Sequence, residues 1–447
     1  MKPVIAIVGR PNVGKSTLFN RLTRSRDALV TAEPGLTRDR QFGRGQHSQW
    51  SYLVVDTGGL GDGEKASASM AGLIARQSLQ AVREADLTLM LVDGRTGLTV
   101  ADEGIAGQLR VLGKPVYLVI NKTEGLDTDV ASAEFHALGF QPPHAISARY
   151  GHRINRMMDA ILSTLPESAC EAEEDYSEDT LRITVIGRPN VGKSTLVNRI
   201  LGEERVLTDE QPGTTRDSIV IPFTRNGEDY TFIDTAGVRR RARVKDAVEK
   251  FSIIKTLQAV DTTHVVIMVL DANEGVTGQD TKLLGLVLDS GKGLVLAVNK
   301  WDRLNVSQKA EKTNQIERKL HFIDFAPVYY ISALYGTGIG KLFNAIDRVG
   351  RATFTKIPTS RLTRLLHAAV ESQPPPVVRG RRIKLRYAHL GGHNPLRVVI
   401  HGNQTEHVPE PYRRYLENTL RKALRLEGTP VRVEFRRGEN PFNRSQA

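Results

Sequence analysis

The chain has one cysteine, Cys170, among 447 residues. No intrachain disulfide can form, which excludes the disulfide-stapled secreted scaffolds. No stretch approaches the roughly 18 consecutive apolar residues of a membrane span. The first apolar run, Val4–Val8, is short and leads straight into glycine. It lacks the longer apolar region and small-residue cleavage site of a signal peptide. A first β-strand in a cytoplasmic protein, with no membrane partner, is the expectation. Net charge is also missing from most of the chain. Residues 1–350 hold 43 basic and 43 acidic side chains, while residues 351–447 hold 19 Lys and Arg against 7 Asp and Glu. The entire excess of +12 therefore lies in the last segment. A basic segment behind a neutral body points to an anionic macromolecular partner. An apolar content of 40% over this length implies a soluble protein of about three domains.

What is present repeats. The run Gly9, Arg10, Pro11, Asn12, Val13, Gly14, Lys15, Ser16, Thr17 recurs as Gly187, Arg188, Pro189, Asn190, Val191, Gly192, Lys193, Ser194, Thr195. Asp56, Thr57, Gly58, Gly59, Leu60 recurs as Asp234, Thr235, Ala236, Gly237, Val238. Asn121, Lys122, Thr123, Glu124 recurs as Asn299, Lys300, Trp301, Asp302. Each recurrence is displaced by 178 residues. That period is far too long for a solenoid, so each copy is expected to be a whole domain. Short apolar runs at 4–8, 52–55, 87–92 and 116–120 read as strands, with counterparts at 181–186, 230–233, 265–270 and 294–298. Fully apolar strands alternating with helical patterns imply an α/β fold, with a mostly parallel sheet covered on both faces.

The expected domains are 1–166 and 181–350, joined by an acidic linker at 167–180 with seven carboxylates and no basic residue. A basic α/β domain follows at 351–440, then a polar tail at 441–447. In the basic domain 362–370 and 411–426 read as helices, and 383–387, 396–401 and 431–435 as strands. Its arginines, including Arg413, Arg414, Arg421 and Arg425, suit phosphate contacts, and docking on another domain is the competing reading.

Gly-x-x-x-x-Gly-Lys-Ser between a strand and a helix is a Walker A loop, whose backbone N–H groups cradle phosphates at a helix N-terminus. Lys15 and Lys193 are expected to reach the β- and γ-phosphates, and Ser16 and Ser194 to ligate Mg²⁺. Asp56 and Asp234 end strands, as suits the acidic residues that orient Mg²⁺ and its water. Gly59 and Gly237 would donate N–H to the γ-phosphate. Thr37 and Thr215, in Pro-Gly-x-Thr-Arg-Asp loops, are the expected switch threonines on Mg²⁺. Asn-Lys-x-Asp separates GTP from ATP, because its carboxylate accepts from N1–H and N2–H₂ of guanine, whereas adenine presents an acceptor at N1. The second copy fits fully. The first has Glu124, one methylene longer, which leaves its guanine selectivity less firmly specified. Ser147-Ala148 and Ser332-Ala333 occupy the position of the base-side loop. The residue after Asp-x-x-Gly is Leu60 or Val238, where a water-orienting Gln would otherwise stand. The loop 238–245 carries five positive charges and reads either as a switchable basic patch or as a solvated loop.

Two such domains, an acidic linker and a basic α/β tail closely resemble the Der (EngA) family of tandem GTPases. The resemblance implies two P-loop GTPase domains plus a C-terminal KH-like domain, although residues 351–447 contain no Gly-x-x-Gly loop. It implies GTP hydrolysis to GDP and phosphate, a monomer, and action on the large ribosomal subunit and its rRNA late in ribosome biogenesis. A non-catalytic, nucleotide-sensing RNA-binding scaffold is the alternative. It also implies that K⁺, held partly by Asn12 and Asn190, acts where an arginine finger would. Asn12, Lys15, Thr37, Asn190, Lys193 and Thr215 are thus the expected catalytic residues.

Overall fold

The computed structural model describes residues 2–23, 42–57, 76–166, 180–203, 205–206, 219–234, 253–378 and 381–437. The chain divides into two compact units, Met1–Tyr176 and Ser177–Ala447. In the first unit, strands β1 (Val4–Val8), β2 (Phe42–His47), β3 (Trp50–Asp56), β4 (Leu87–Asp93), β5 (Val116–Asn121) and β6 (His144–Ala145) form one sheet in the order β2-β3-β1-β4-β5-β6. The four inner strands are parallel, and β2 runs antiparallel at the edge. All residues of β1 and β4 are buried, as strands covered on both faces must be. One core layer joins Ile5, Ile7 and Leu89 to Leu18, Met157 and Ile161 from the helices Lys15–Leu22 and Ile154–Leu162.

The second unit repeats this plan with β7 (Leu181–Ile186), β8 (Arg205–Val206), β9 (Ile219–Arg225), β10 (Glu228–Asp234), β11 (Val265–Asp271), β12 (Gly293–Asn299) and β13 (Val328–Tyr330), ordered β13-β12-β11-β7-β10-β9-β8. It also carries the basic domain. There β14 (Val377–Val378) and β15 (Arg381–Arg382) make a small hairpin, and β16 (Lys384–Gly392), β17 (Leu396–Asn403) and β18 (Val431–Arg437) a separate sheet. Pair β16–β17 is antiparallel and β17–β18 parallel. Helices Thr359–Ser372 and Glu410–Leu424 cover one face through Leu362, Leu366, Leu416 and Leu420. The helix Ile339–Thr353 runs past the boundary expected at 350, and the next helix starts at Thr359.

The basic domain is docked on the second nucleotide domain. The N–H of Leu294 in β12 donates to Gly428 O at 2.8 Å, and the N–H of Gly428 donates to Phe325 O at 2.8 Å. Arg432 Nη2 donates to Leu288 O at 2.6 Å, and Asn394 Nδ2 to Thr263 O at 3.3 Å. Arg421 corrects its sequence reading as a phosphate contact. Its side chain is 8% exposed, pairs with Asp324 at 3.1 Å and lies 4.6 Å from the centre of the Phe325 ring. Charge counting sees a cation, but burial turns it into an interface residue. The Arg348–Glu427 pair across the same junction is about half exposed and adds at most about 1 kcal/mol.

His264 is buried at this junction, edge-on to Phe354 at 4.8 Å. Burial, with Arg182 and Lys292 nearby, pushes its imidazole down to about 3. The unfolded chain takes up that proton near pH 6.5, and the folded chain refuses it until about pH 3. Stability is therefore full above the unfolded value and falls as the pH drops through this window, by about 1.4 kcal/mol per pH unit. In urea melts from pH 7 to 4, His264→Leu is expected to show a shallower decline than the parent. An unchanged slope contradicts this.

Candidate functional site

Both Walker loops leave the C-terminal end of a central strand, at β1 and β7. Gly9 sits at φ 152° and Gly14 at φ 100°, with the same geometry at Gly187 (152°) and Gly192 (97°). A Cβ on Gly9 would stand 2.3 Å from Leu91 O, and one on Gly14 2.4 Å from Asn121 Nδ2. Only glycine lets the loop fold this tightly. Val13 and Val191 pin the loops into the core. Pro11, Asn12, Ser16, Thr17, Asn190, Ser194 and Thr195 are exposed, and Pro189 is half-buried. Lys15 Nζ donates to Gly9 O (2.9 Å) and Arg10 O (3.0 Å), and Lys193 Nζ to Arg188 O (2.6 Å), so each ammonium arches over its own loop. The helix Lys15–Leu22 has no side-chain cap and no acidic residue in its first turn. Among the described residues, no side chain therefore competes with an anion for the N–H groups and the dipole at this helix start. Ser16 Oγ donates to Asp56 Oδ2 at 2.8 Å, which brings two expected Mg²⁺ ligands together. Thr57 turns inward, its hydroxyl donating to Ile7 O at 2.8 Å.

The base side is organised by the two asparagines. Asn121 Nδ2 donates to Val13 O (2.8 Å), and its Oδ1 accepts from the N–H of Ala148 (2.8 Å). Asn299 does the same with Val191 O (2.9 Å) and Ala333 (2.9 Å). One side chain thus locks the phosphate loop, its own strand and the Ser-Ala loop together. Lys122 Nζ bridges Asn12 O (2.8 Å) and Asp93 (2.7 Å), and Lys300 Nζ bridges Asn190 O (2.8 Å) and Asp271 (2.5 Å). Burial would raise both aspartates, but the lysine hydrogen bonds and N–H groups of the following turn hold them below the ordinary aspartate range. Thr123 Oγ1 is spent on Ile146 O, while Trp301 packs 4.1 Å from Tyr330. Tyr335 N–H donates to Ser332 Oγ at 3.3 Å.

The sequence reading missed several supports. Arg10 and Arg188 point away from the phosphate cradle. Arg188 Nε binds both oxygens of Asp280 at 2.9 Å, and Nη1 binds Glu274 at 2.7 Å. Among the described residues Arg10 pairs with Asp102 alone, at 3.3 Å. Asp102 and Asp280 also close capping boxes with Thr99 and Thr277, so each anchors a helix start and a Walker loop at once. Arg21 and Arg199 tie the first helix of each copy to the Ser-Ala loop. Arg10 and Arg188, Arg21 and Arg199, Thr99 and Thr277, and Asp102 and Asp280 each recur at the 178-residue displacement, which was the available signal, whereas Glu274 has Thr96 as its counterpart.

Thr37, Gly58, Gly59, Leu60, Thr215, Thr235, Ala236, Gly237, Val238 and the basic loop 238–245 lie outside the described residues, as does the acidic segment 167–179. For Asp234 the backbone alone is described, at the end of β10.

In the first copy, Arg95 Nη2 meets Glu124 Oε1 at 3.1 Å. Ser147, then the Arg95 and Arg149 guanidiniums, hold the Glu124 carboxyl below the ordinary glutamate range. Yet buried Glu124 Oε2 and Ser147 Oγ are not aligned for a hydrogen bond with each other or with any described group. A buried carboxylate oxygen and a buried hydroxyl without aligned partners among the described residues, an uncapped helix start and a cradle that a Cβ would fill suit a guanine nucleotide.

The comparisons agree with this geometry. Residues 4–122 and 182–300 match a family described as 50S ribosome-binding GTPase. Residues 356–436 match one described as KH-domain-like of EngA bacterial GTPase enzymes, C-terminal. The chain is 57% identical over 442 residues to GTPase Der of Thioalkalivibrio sulfidiphilus, covering 99% of this chain and 95% of that one. It is 55% identical over 445 residues to GTPase Der of Marinobacter nauticus, covering 99% and 93%. Near-complete coverage at this identity, over two Walker folds and a KH-like domain, means that the chain belongs to the Der (EngA) family of GTP-hydrolysing enzymes.

Proposed function

We propose that the enzyme is a GTP-driven switch in the maturation of the large ribosomal subunit, engaging its rRNA through basic surface of the C-terminal domain. The observation that carries this reading is the path along β12. That strand ends in Asn299, which organises the base site, and near its start bonds Gly428 of the basic domain. A change at the second nucleotide site thereby has a short route to the charged domain, along one strand and across one backbone hydrogen bond. The matched family's description as a 50S ribosome-binding GTPase supports the partner. Lys15 and Lys193 take the β- and γ-phosphates, Glu124 and Asp302 read guanine, and Ser16, Asp56, Ser194 and Asp234, with Thr37 and Thr215, hold Mg²⁺. When bound, Mg²⁺ supplies charge neutralisation at the phosphates. Asn12 and Asn190, exposed within the loops, would hold a K⁺ ion in part, and that ion would stand in for an arginine finger. Equal turnover in sodium and potassium at matched ionic strength overturns that last assignment. The switch is tested by co-sedimentation with purified large subunits, with GDP or a non-hydrolysable GTP analogue, over a salt series. Tighter binding in one nucleotide state and a steep salt slope are expected. Equal binding in both states refutes it.

A further inference from the structure

The two base sites differ in how their carboxylate is held. In the first copy the Arg95 guanidinium reaches Glu124 Oε1 at 3.1 Å, Glu124 O at 3.4 Å and Lys122 O at 3.4 Å. Its own N–H is fixed on Asp93 Oδ1 at 3.0 Å, so the arginine starts from a rigid turn. The 178-residue displacement places Asn273 at the corresponding position of the second copy. Asn273 Nδ2 turns back to Asp271 Oδ1 at 3.3 Å, and the carboxylate of Asp302 is exposed, with no hydrogen bond or ion pair among the described residues. The longer acid is thus accompanied by an arginine and the shorter one by an asparagine that does not touch it. Glutamate has one more rotatable bond to freeze on binding, and an arginine fork can freeze it.

We infer that Arg95 is a positioning residue for guanine recognition in the first site: it holds the longer Glu124 side chain so that Oε2 stays presented to the base. This rests on the reading of Glu124 as the guanine acceptor. Arg95 occupies one oxygen, and a carboxylate has about four lone-pair positions, so arginine and guanine can be served together. Among the described residues Oε2 is buried with no aligned hydrogen-bond partner, although the Ser147 hydroxyl stands near the carboxyl, as expected of an acceptor kept ready for a ligand donor. In the second site the short Asp302 needs no such clamp.

The test is a double-mutant cycle in the full chain carrying Lys193→Ala, which lowers the second site's affinity, titrated with fluorescent GDP and with IDP. IDP lacks the exocyclic N2 amine, so the GDP-to-IDP ratio reports how well the carboxylate is presented. Arg95→Asn is expected to weaken GDP binding about tenfold and to compress that ratio, about 1.4 kcal/mol by the tenfold rule. With Glu124→Asp already present, the same change is expected to cost less than about twofold, because the shorter acid has less to freeze. Tighter GDP binding by Arg95→Asn overturns the inference, since Arg95 would then be a competitor. Equal losses for GDP and IDP, repeated in the Glu124→Asp background, overturn it too, because that pattern is a general loss of structure. Undiminished GDP affinity in Glu124→Ala, with Arg95 intact, instead removes the base-reading assignment on which the inference stands.

Discussion

Asn299→Ala is expected to cost the second site about 100-fold or more in guanine-nucleotide affinity, roughly 2.7 kcal/mol. The loss is structural rather than one of contact with nucleotide. Asn299 is 3% exposed and connects Val191 O in the phosphate loop with the N–H of Ala333 in the base loop. Alanine strands both groups in a region that water reaches poorly, at about 1–3 kcal/mol each. The phosphate loop and base loop then lose their common register, so nucleotide binding and folding of the second unit decline together. Guanine-nucleotide titration and urea melts check this, and Asn299→Asp sharpens it. Aspartate can still accept from Ala333 N–H but cannot donate to Val191 O, so a loss nearly as large is expected. Wild-type affinity in the alanine variant would show that the loops hold their register without this side chain.

Gly187→Ala is expected to be comparably severe at the same site. The position has φ 152°, and a Cβ there would lie 2.5 Å from Val269 O, a backbone atom of β11 that cannot swing aside. Strain of about 1–3 kcal/mol must be relieved by moving the loop, and with it the N–H groups that hold phosphate. Gly202→Ala provides the contrast. Gly202 lies in the helix Lys193–Glu203, where a Cβ meets nothing within 4 Å. There alanine is expected to leave binding intact and to raise stability by up to about 1 kcal/mol through helix propensity. Equal behaviour of the two variants would contradict the account of the cradle.

The Walker loops and the Asn-Lys-x-acid stretches were legible because their chemistry fixes residue type and spacing within a few positions. The buried parallel strands were legible for a similar reason: double coverage demands the unbroken apolar runs of β4 and β11. The antiparallel strands beside them were not. Phe-Gly-Arg-Gly-Gln-His in β2 shows no apolar alternation, and Pro222 makes β9 look interrupted. Among the described residues the outer neighbour, β8, pairs with Phe223 and Thr224 and not with Pro222, so the missing N–H costs no ladder bond there. Long-range side-chain contacts were equally hidden. Nothing local distinguishes Arg188, clamped by Asp280 and Glu274, from a phosphate-binding arginine, and nothing local marks Arg421 as buried. The repeat held part of this information. Asp102 and Asp280, like Asp93 and Asp271, stand 178 residues apart, so comparison beyond the nucleotide motifs would have found them. Arg95 had no such signal, because its counterpart is Asn273 and the difference itself is the finding.

The central claim, that both copies are working GTP sites, is tested most directly by steady-state GTP turnover of Lys15→Ala, Lys193→Ala and the double variant in the full chain. Each lysine sits over its own loop, bonded to backbone carbonyls that a phosphate would replace as partners. Each single variant is expected to remove its own site's share of turnover, and the double variant to retain less than about 1% of the parent rate, since the lost charge stabilisation is worth several kcal/mol. Turnover in the double variant equal to the parent would contradict the account.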